Sequence, residues 1–188
     1  MKISIKGLLV ATVLLLAALP MTAQTAPVYL VFQNFEAGDG LAAAQGSTAV
    51  IEASGFVDKS TKSAKLSFDT SGDPHENLQN VVVTSSDGKA VDASAYKYLE
   101  FWLKDTQGSN THMVSVLDAA GHIYTGWDDV KSQKDKWVLI YFPLKTLTEK
   151  GVDVKSIKEI RVGEWNAGTY FMDDFIFTSD FKAAKYLK

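Results

Sequence analysis

The chain has 188 residues, a formal net charge of −3 and no cysteine, with 46% hydrophobic and 11% aromatic residues. That length suffices for one domain with a sizeable core. Mild acidity without a basic block argues against a nucleic-acid partner, and the lack of cysteine excludes disulfides, thiol nucleophiles and thiolate metal sites.

In chain order, the first residues read as an export signal. Lys2 and Lys6 give a basic start, Leu8 to Leu19 is apolar, and Pro20-Met21-Thr22-Ala23 offers a cleavage point after Ala23. The apolar run falls short of the roughly 20 residues that span a bilayer. An uncleaved N-terminal anchor is the other reading of this segment. The expectation is a secreted or periplasmic protein, with residues 1–23 removed, residues 24–188 forming one domain, and no membrane span after cleavage.

The rest reads as β almost throughout. Strands are predicted over Val28–Phe35, Thr48–Ala53, Ser63–Phe68, Leu78–Thr84, Lys97–Lys104, His112–Leu117, Ile123–Trp127, Trp137–Phe142, Ile157–Trp165 and Thr169–Phe177. Turn chemistry separates them: Gly38-Asp39-Gly40, Ser71-Gly72-Asp73-Pro74, Ser86-Asp87-Gly88, Gln107-Gly108-Ser109-Asn110, Asp118 to Gly121, and Asn166-Ala167-Gly168. Two short helices are expected, at Leu144 to Lys150 and in the tail from Phe181 to Lys188. About ten antiparallel strands without intervening amphipathic helices predict an all-β, single-domain sandwich of the jelly-roll kind. A four-residue loop over Asp118 to Gly121 would pair Leu117 with His122 and set His112 opposite Trp127.

Alternation separates the faces. Leu99, Phe101 and Leu103 oppose Tyr98, Glu100, Trp102 and Lys104. Val138, Ile140 and Phe142 oppose Trp137, Leu139 and Tyr141, while Ile160 and Val162 oppose Glu159, Arg161, Gly163 and Trp165. The second face mixes aromatic rings with charge, as a sugar-binding surface requires. Sugar C–H patches pack on flat rings, and hydroxyls need directional donors and acceptors. Trp127, Tyr124 and Trp165 are the candidate stacking residues, with Trp102 beside them; Arg161, Glu100 and Asp128 are the candidate polar contacts. The same rings also suit core or hairpin packing.

Asp173 and Asp174 stand inside an apolar strand, where an ionised carboxylate needs compensation. A cation such as calcium is one partner; backbone N–H groups or a lysine would also serve. The run Asn34-Phe35-Glu36-Ala37-Gly38-Asp39-Gly40 could converge on the same place if the first and last strands are neighbours. The histidines, His75, His112 and His122, show no zinc spacing. A glycosidase would need two facing carboxyls. Glu100, Glu159 and Glu164 are the candidates, but Glu159 and Glu164 should point to opposite faces, so no enzyme is expected.

Several runs together resemble carbohydrate-binding modules of the galactose-binding-like β-jelly-roll type. They are Phe35-Glu36-Ala37-Gly38, Lys62 to Phe68, Val91 to Lys104, Trp137 to Leu144, Val152 to Ile157, and Gly168 to Phe177 with its Asp pair. The resemblance implies a structural calcium held by Glu36, Gly38 and one or both of Asp173 and Asp174. It also implies a secreted, non-catalytic protein that binds a polysaccharide or glycan. A structural or assembly protein of the cell envelope or a surface filament, using the fold for protein contacts, is the alternative.

Overall fold

The computed structural model describes residues 28–44, 47–53, 60–69, 79–108, 112–128, 133–164 and 166–180, with the backbone alone at positions 44, 79, 127 and 128. The expected export segment, the expected tail helix and Trp165 lie outside these residues.

Among the described residues the chain forms eleven strands and one short helix. In order they are β1 (Tyr29–Gln33), β2 (Leu41–Ala44), β3 (Thr48–Glu52), β4 (Ser63–Phe68), β5 (Gln79–Thr84), β6 (Tyr98–Asp105), β7 (His112–Asp118), β8 (Ile123–Asp128), β9 (Trp137–Pro143), α1 (Leu144–Glu149), β10 (Ile157–Glu164) and β11 (Gly168–Thr178). Sheet A runs β3-β4-β11-β6-β9, with β1 also on β11; sheet B runs β2-β5-β10-β7-β8. Every pairing is antiparallel. The result is the expected jelly-roll sandwich. No helix among the described residues is long and apolar enough to cross a membrane.

The strand absent from the sequence reading is β2. Its Leu41-Ala42-Ala43-Ala44 carries little β propensity and acquires its conformation by pairing with β5. The preceding loop is tied down by buried Gln33, whose side chain accepts from the N–H groups of Asn34 (3.0 Å) and Phe35 (2.7 Å) and donates to Asp39 O (3.2 Å) and Thr84 O (3.1 Å). Gly40, at φ +76°, completes this turn. A Cβ there would lie 2.0 Å from Gln33 Nε2 and 2.9 Å from Thr84 O, so no larger residue fits.

The core lies between the sheets. Sheet A contributes Leu66, Leu99, Phe101, Leu103, Ile140, Tyr170, Met172, Phe175 and Phe177; sheet B contributes Val81, Val83, Val114, Val116, Ile160 and Val162. In β11 the buried phase changes from Tyr170 and Met172 to Phe175 and Phe177, which period-two alternation alone forbids. A β-bulge between Asp173 and Ile176, with Asp174 at φ 53°, inserts the extra residue. It returns Phe175 to the core, where it stacks on Phe101 at 4.5 Å and meets Phe35 edge-on at 6.0 Å.

The β7–β8 hairpin corrects the expected register by one residue. Leu117 pairs with Ile123, Met113 with Trp127, and His112 with Asp128. Asp118 N–H donates to His122 O at 3.1 Å, leaving a three-residue loop that ends in Gly121 at φ +92°, the bulged geometry that only glycine adopts without strain. Asp118 sets this loop. Its carboxylate accepts from Asp153 N–H, Ala120 N–H, His122 N–H and His122 Nδ1, all at 2.8–2.9 Å. The Asp153 N–H is the largest influence, and with the His122 contacts it outweighs burial and holds the Asp118 carboxyl down at about 2.

Candidate functional site

Sheet B presents an outer face built from alternate residues of its strands. In β10, Ile160 and Val162 point into the core, leaving Glu159, Arg161 and Gly163 on the other side. Register then draws a row across four strands: Val82 of β5, Arg161 of β10, Ser115 of β7 and Thr125 of β8. The next row holds Asn80, Gly163, Met113 and Trp127.

The chemistry of the first row is polar and directional. Arg161 donates from Nε (3.2 Å) and Nη2 (2.8 Å) to one oxygen of Glu159, leaving Nη1 pointing away from that contact. The pair is partly open, with 36% side-chain exposure for Arg161 and 20% for Glu159. Ser115 Oγ and Thr125 Oγ1 stand 2.8 Å apart, where either can donate. A guanidinium, a carboxylate and the exposed Thr125 hydroxyl therefore lie along one row of the sheet, with Ser115 buried beside Thr125 as its hydrogen-bond partner. Small residues at Gly163 and Ser115 keep the sheet surface low there.

The predicted contact residues divide among three places. Arg161 lies on the outer face of sheet B, and Trp127 shares its strand phase with Thr125 and its register with Met113. Asp128 is paired by register with His112, and Trp165 follows the last residue of β10. Tyr124 stands opposite Val116 and packs against the core; its ring and hydroxyl lie 3.2 and 3.3 Å from where a Gly126 Cβ would stand. It therefore faces away from Arg161. Trp102 and Glu100 belong to the outer face of sheet A, so Trp102 and Arg161 do not share a surface. Sequence reading missed Ser115 and Thr125. The signal for Ser115 was a small hydroxyl residue at an outward position between two buried valines; Thr125, between Tyr124 and Gly126, had none.

Glu100 is fully buried although its strand phase is outward, and neither carboxylate oxygen has a hydrogen-bond partner among the described residues. Burial, reinforced by the negative charge of Asp180, pushes its carboxyl up to about 7. At the end of sheet B, Glu164 and His112 face inward instead. Glu164 accepts His112 Nδ1 at 2.8 and 2.7 Å, and both are buried against the edge of the Tyr170 ring. Glu159 and Glu164 thus lie on opposite faces, and Glu100 lies in the other sheet.

The residues expected to hold calcium have other partners in the structure. Glu36 accepts from Ser60 Oγ (3.1 Å), Thr61 N–H (2.8 Å), Lys62 N–H (3.0 Å) and Thr61 Oγ1. Burial opposes its charge, but these donors, led by Thr61, outweigh burial and hold the carboxyl below its usual range. The Lys62 ammonium donates to Glu36 O at 2.8 Å and stands 3.6 Å from the Gly38 Cβ position. Asp173 is buried at the bulge and accepts from Asp174 N–H at 2.9 Å. No group of three acidic or histidine side chains gathers among the described residues. A lysine thus supplies positive charge at Glu36 O and beside Gly38. A calcium ion held here would draw on backbone carbonyls as well as carboxylates. Chelation would then lower the melting temperature, because a ligand selective for the native state raises apparent stability; an unchanged melting temperature would remove the ion from the account.

The family model described as carbohydrate binding domain 30 matches residues 31–179. No curated protein matches the sequence. Among solved structures, a family 11 carbohydrate-binding module from Clostridium thermocellum, in complex with a β-1,3-1,4-mixed-linked tetrasaccharide, is similar at 14% identity. Its TM-score is 0.55, over 80% of this chain and 95% of that one. A family 30 carbohydrate-binding module matches at 16% identity and TM-score 0.56, over 72% and 76% of the two chains. An exo-β-agarase matches at 15% identity and TM-score 0.61, over 82% of this chain but 25% of its own. At these identities the structural likeness establishes the shared fold.

Proposed function

Starting from a chain that belongs to the carbohydrate binding domain 30 family, we propose that the outer face of sheet B recognises a polysaccharide or glycan, without catalysis, outside the cell membrane. The observation that carries this reading is the row Val82–Arg161–Ser115–Thr125, with Trp127 one row away by register. In this reading the Arg161–Glu159 pair and the Thr125 hydroxyl orient sugar hydroxyls, while Trp127 and Trp165, which the sequence singles out for stacking, supply the ring surface and Asp128 a further polar contact. The β-1,3-1,4-mixed-linked tetrasaccharide named for the family 11 module makes polysaccharides with such linkages the first ligands to try. The separation of Glu100, Glu159 and Glu164 supports a binding role over hydrolysis, since a glycosidase sets two carboxyls across one bond. The export segment at residues 1–23 supports secretion.

Retention on a panel of insoluble polysaccharides tests the proposal. Each stacked ring contributes on the order of 1 kcal/mol, so Trp127→Ala and Trp165→Ala should each weaken retention about fivefold. Arg161→Ala should weaken it about tenfold, by removing a charged donor and leaving Glu159 without its partner. Assembly with rising protein concentration, without retention on any panel member, would favour the envelope-protein alternative. Hydrolysis of a panel member would overturn the non-catalytic reading.

A further inference from the structure

The outer face of sheet A carries a second constellation, remote from the Arg161 row. Register sets Val50, Lys65, Phe171, Lys104 and Trp137 in one line across β3, β4, β11, β6 and β9. Both ammonium groups approach the Phe171 ring: Lys65 Nζ lies 6.0 Å and Lys104 Nζ 5.3 Å from its centroid. Trp102 follows Lys104 on the same face two residues earlier in β6, paired with Leu139. On the other side of the row, Ser67 and Thr169 form a cross-strand hydroxyl pair.

We propose that this face is a second binding surface, for polysaccharides bearing carboxylate or sulfate groups. Trp102 offers a ring, and Ser67 and Thr169 offer hydroxyls. The two lysines flank Phe171 on neighbouring strands, about 9.6 Å apart in the backbone, and the ring holds both ammonium groups over it, where together they can meet the anionic groups of a sugar chain lying across the strands. Charge complementarity selects the ligand class. Lys65 has Glu52 at 3.6 Å, whereas Lys104 has no acidic partner among the described residues. Of the other carboxylates in outward phase, Asp173 and Glu100 are fully buried, Asp174 is half-buried beside the bulge, and Asp69 is exposed past the end of β4. Val50 and Tyr141, at 52% and 41% exposure, leave the flanking strands open. The two outer faces of a sandwich point in opposite directions, so this surface works independently of sheet B.

Affinity electrophoresis in gels containing dextran sulfate, alginate or uncharged dextran tests the proposal. The protein carries a net charge of −3, so general attraction to polyanions would not hold it. Retardation is expected in the two anionic gels and not in dextran, weakening between about 0.05 M and about 0.5 M salt. Lys65→Gln with Lys104→Gln should lower the affinity at least about fivefold, while Lys65→Arg with Lys104→Arg retains it. Neutral glucan retention should be the same in the glutamine variant as in the parent, which also reports that the variant is folded. No retardation by either polyanion, or retardation unchanged by the glutamine substitutions, would overturn the proposal without touching the sheet B reading.

Discussion

Replacing His112 with leucine is expected to lower the unfolding free energy by about 3–5 kcal/mol, and the melting temperature by roughly 10 °C. His112 and Glu164 are cross-strand neighbours facing the interior, 1% and 0% exposed, with Nδ1 bridging both carboxylate oxygens. Removing the imidazole takes the Nδ1 partner from both oxygens of a carboxylate sealed beside Tyr170. Such a group must remain charged in a poor solvent or take up a proton, and either course destabilises the fold. Changing both residues to leucine should recover most of the loss, because two apolar side chains would extend the neighbouring row of Val162 and Val114. Thermal or urea unfolding of the two single variants and the double variant gives the coupling directly. Losses that merely add in the double variant would show that the two groups do not act as a pair.

The second large effect has the opposite sign. Glu100→Gln is expected to stabilise the protein by about 2–3 kcal/mol at pH 8 and to change it little at pH 4.5. The folded carboxyl titrates at about 7 and the unfolded one at its ordinary 4.5, because burial, with Asp180 nearby, disfavours the charge. Below pH 4.5 the group is protonated in both states and imposes no penalty. From 4.5 to 7 the unfolded chain releases the proton while the folded chain keeps it, so stability falls as pH rises. Above 7 the loss is complete and constant. The glutamine variant lacks this fall. The difference between the two proteins, followed by urea unfolding from pH 4.5 to 8, isolates Glu100 because all other titrations cancel. A difference that stays flat across that range would contradict the burial of an ionisable group without hydrogen-bond partners.

Alternation and turn chemistry in the sequence located ten of the eleven strands and the helix after β9, because nearly every strand buries one face. Alanine-rich β2 escaped, since its conformation comes from pairing and not from its own side chains. The bulge was legible in principle. Tyr170 and Met172 occupy one phase, Phe175 and Phe177 the other, and the two aspartates sit between them. The one-residue register error at His112 arose because alternation does not reveal how many residues a hairpin loop consumes; Asp118 and Gly121 decide that through their own geometry.

The candidate site was legible only residue by residue. Alternation says that Arg161 and Trp102 both point outward, but not that they belong to different sheets. It also says that Glu100 points outward, but not what covers it. Tyr124 and Trp127, three positions apart in one strand, were bound to fall on opposite faces, and the hairpin confirms Tyr124 on the inner one. Position relative to the sheet was written in the sequence; which sheets face which way came from long-range pairing.

The central claim, that the outer face of sheet B grips sugar, is tested most directly by amide chemical shifts. Whichever polysaccharide retains the protein would be cut to a soluble oligosaccharide and titrated into uniformly labelled protein. The perturbed amides should centre on residues 113–115, 125–127 and 159–163, with sheet A silent. Perturbations confined to sheet A, or spread without focus at saturating ligand, would contradict the placement of the site.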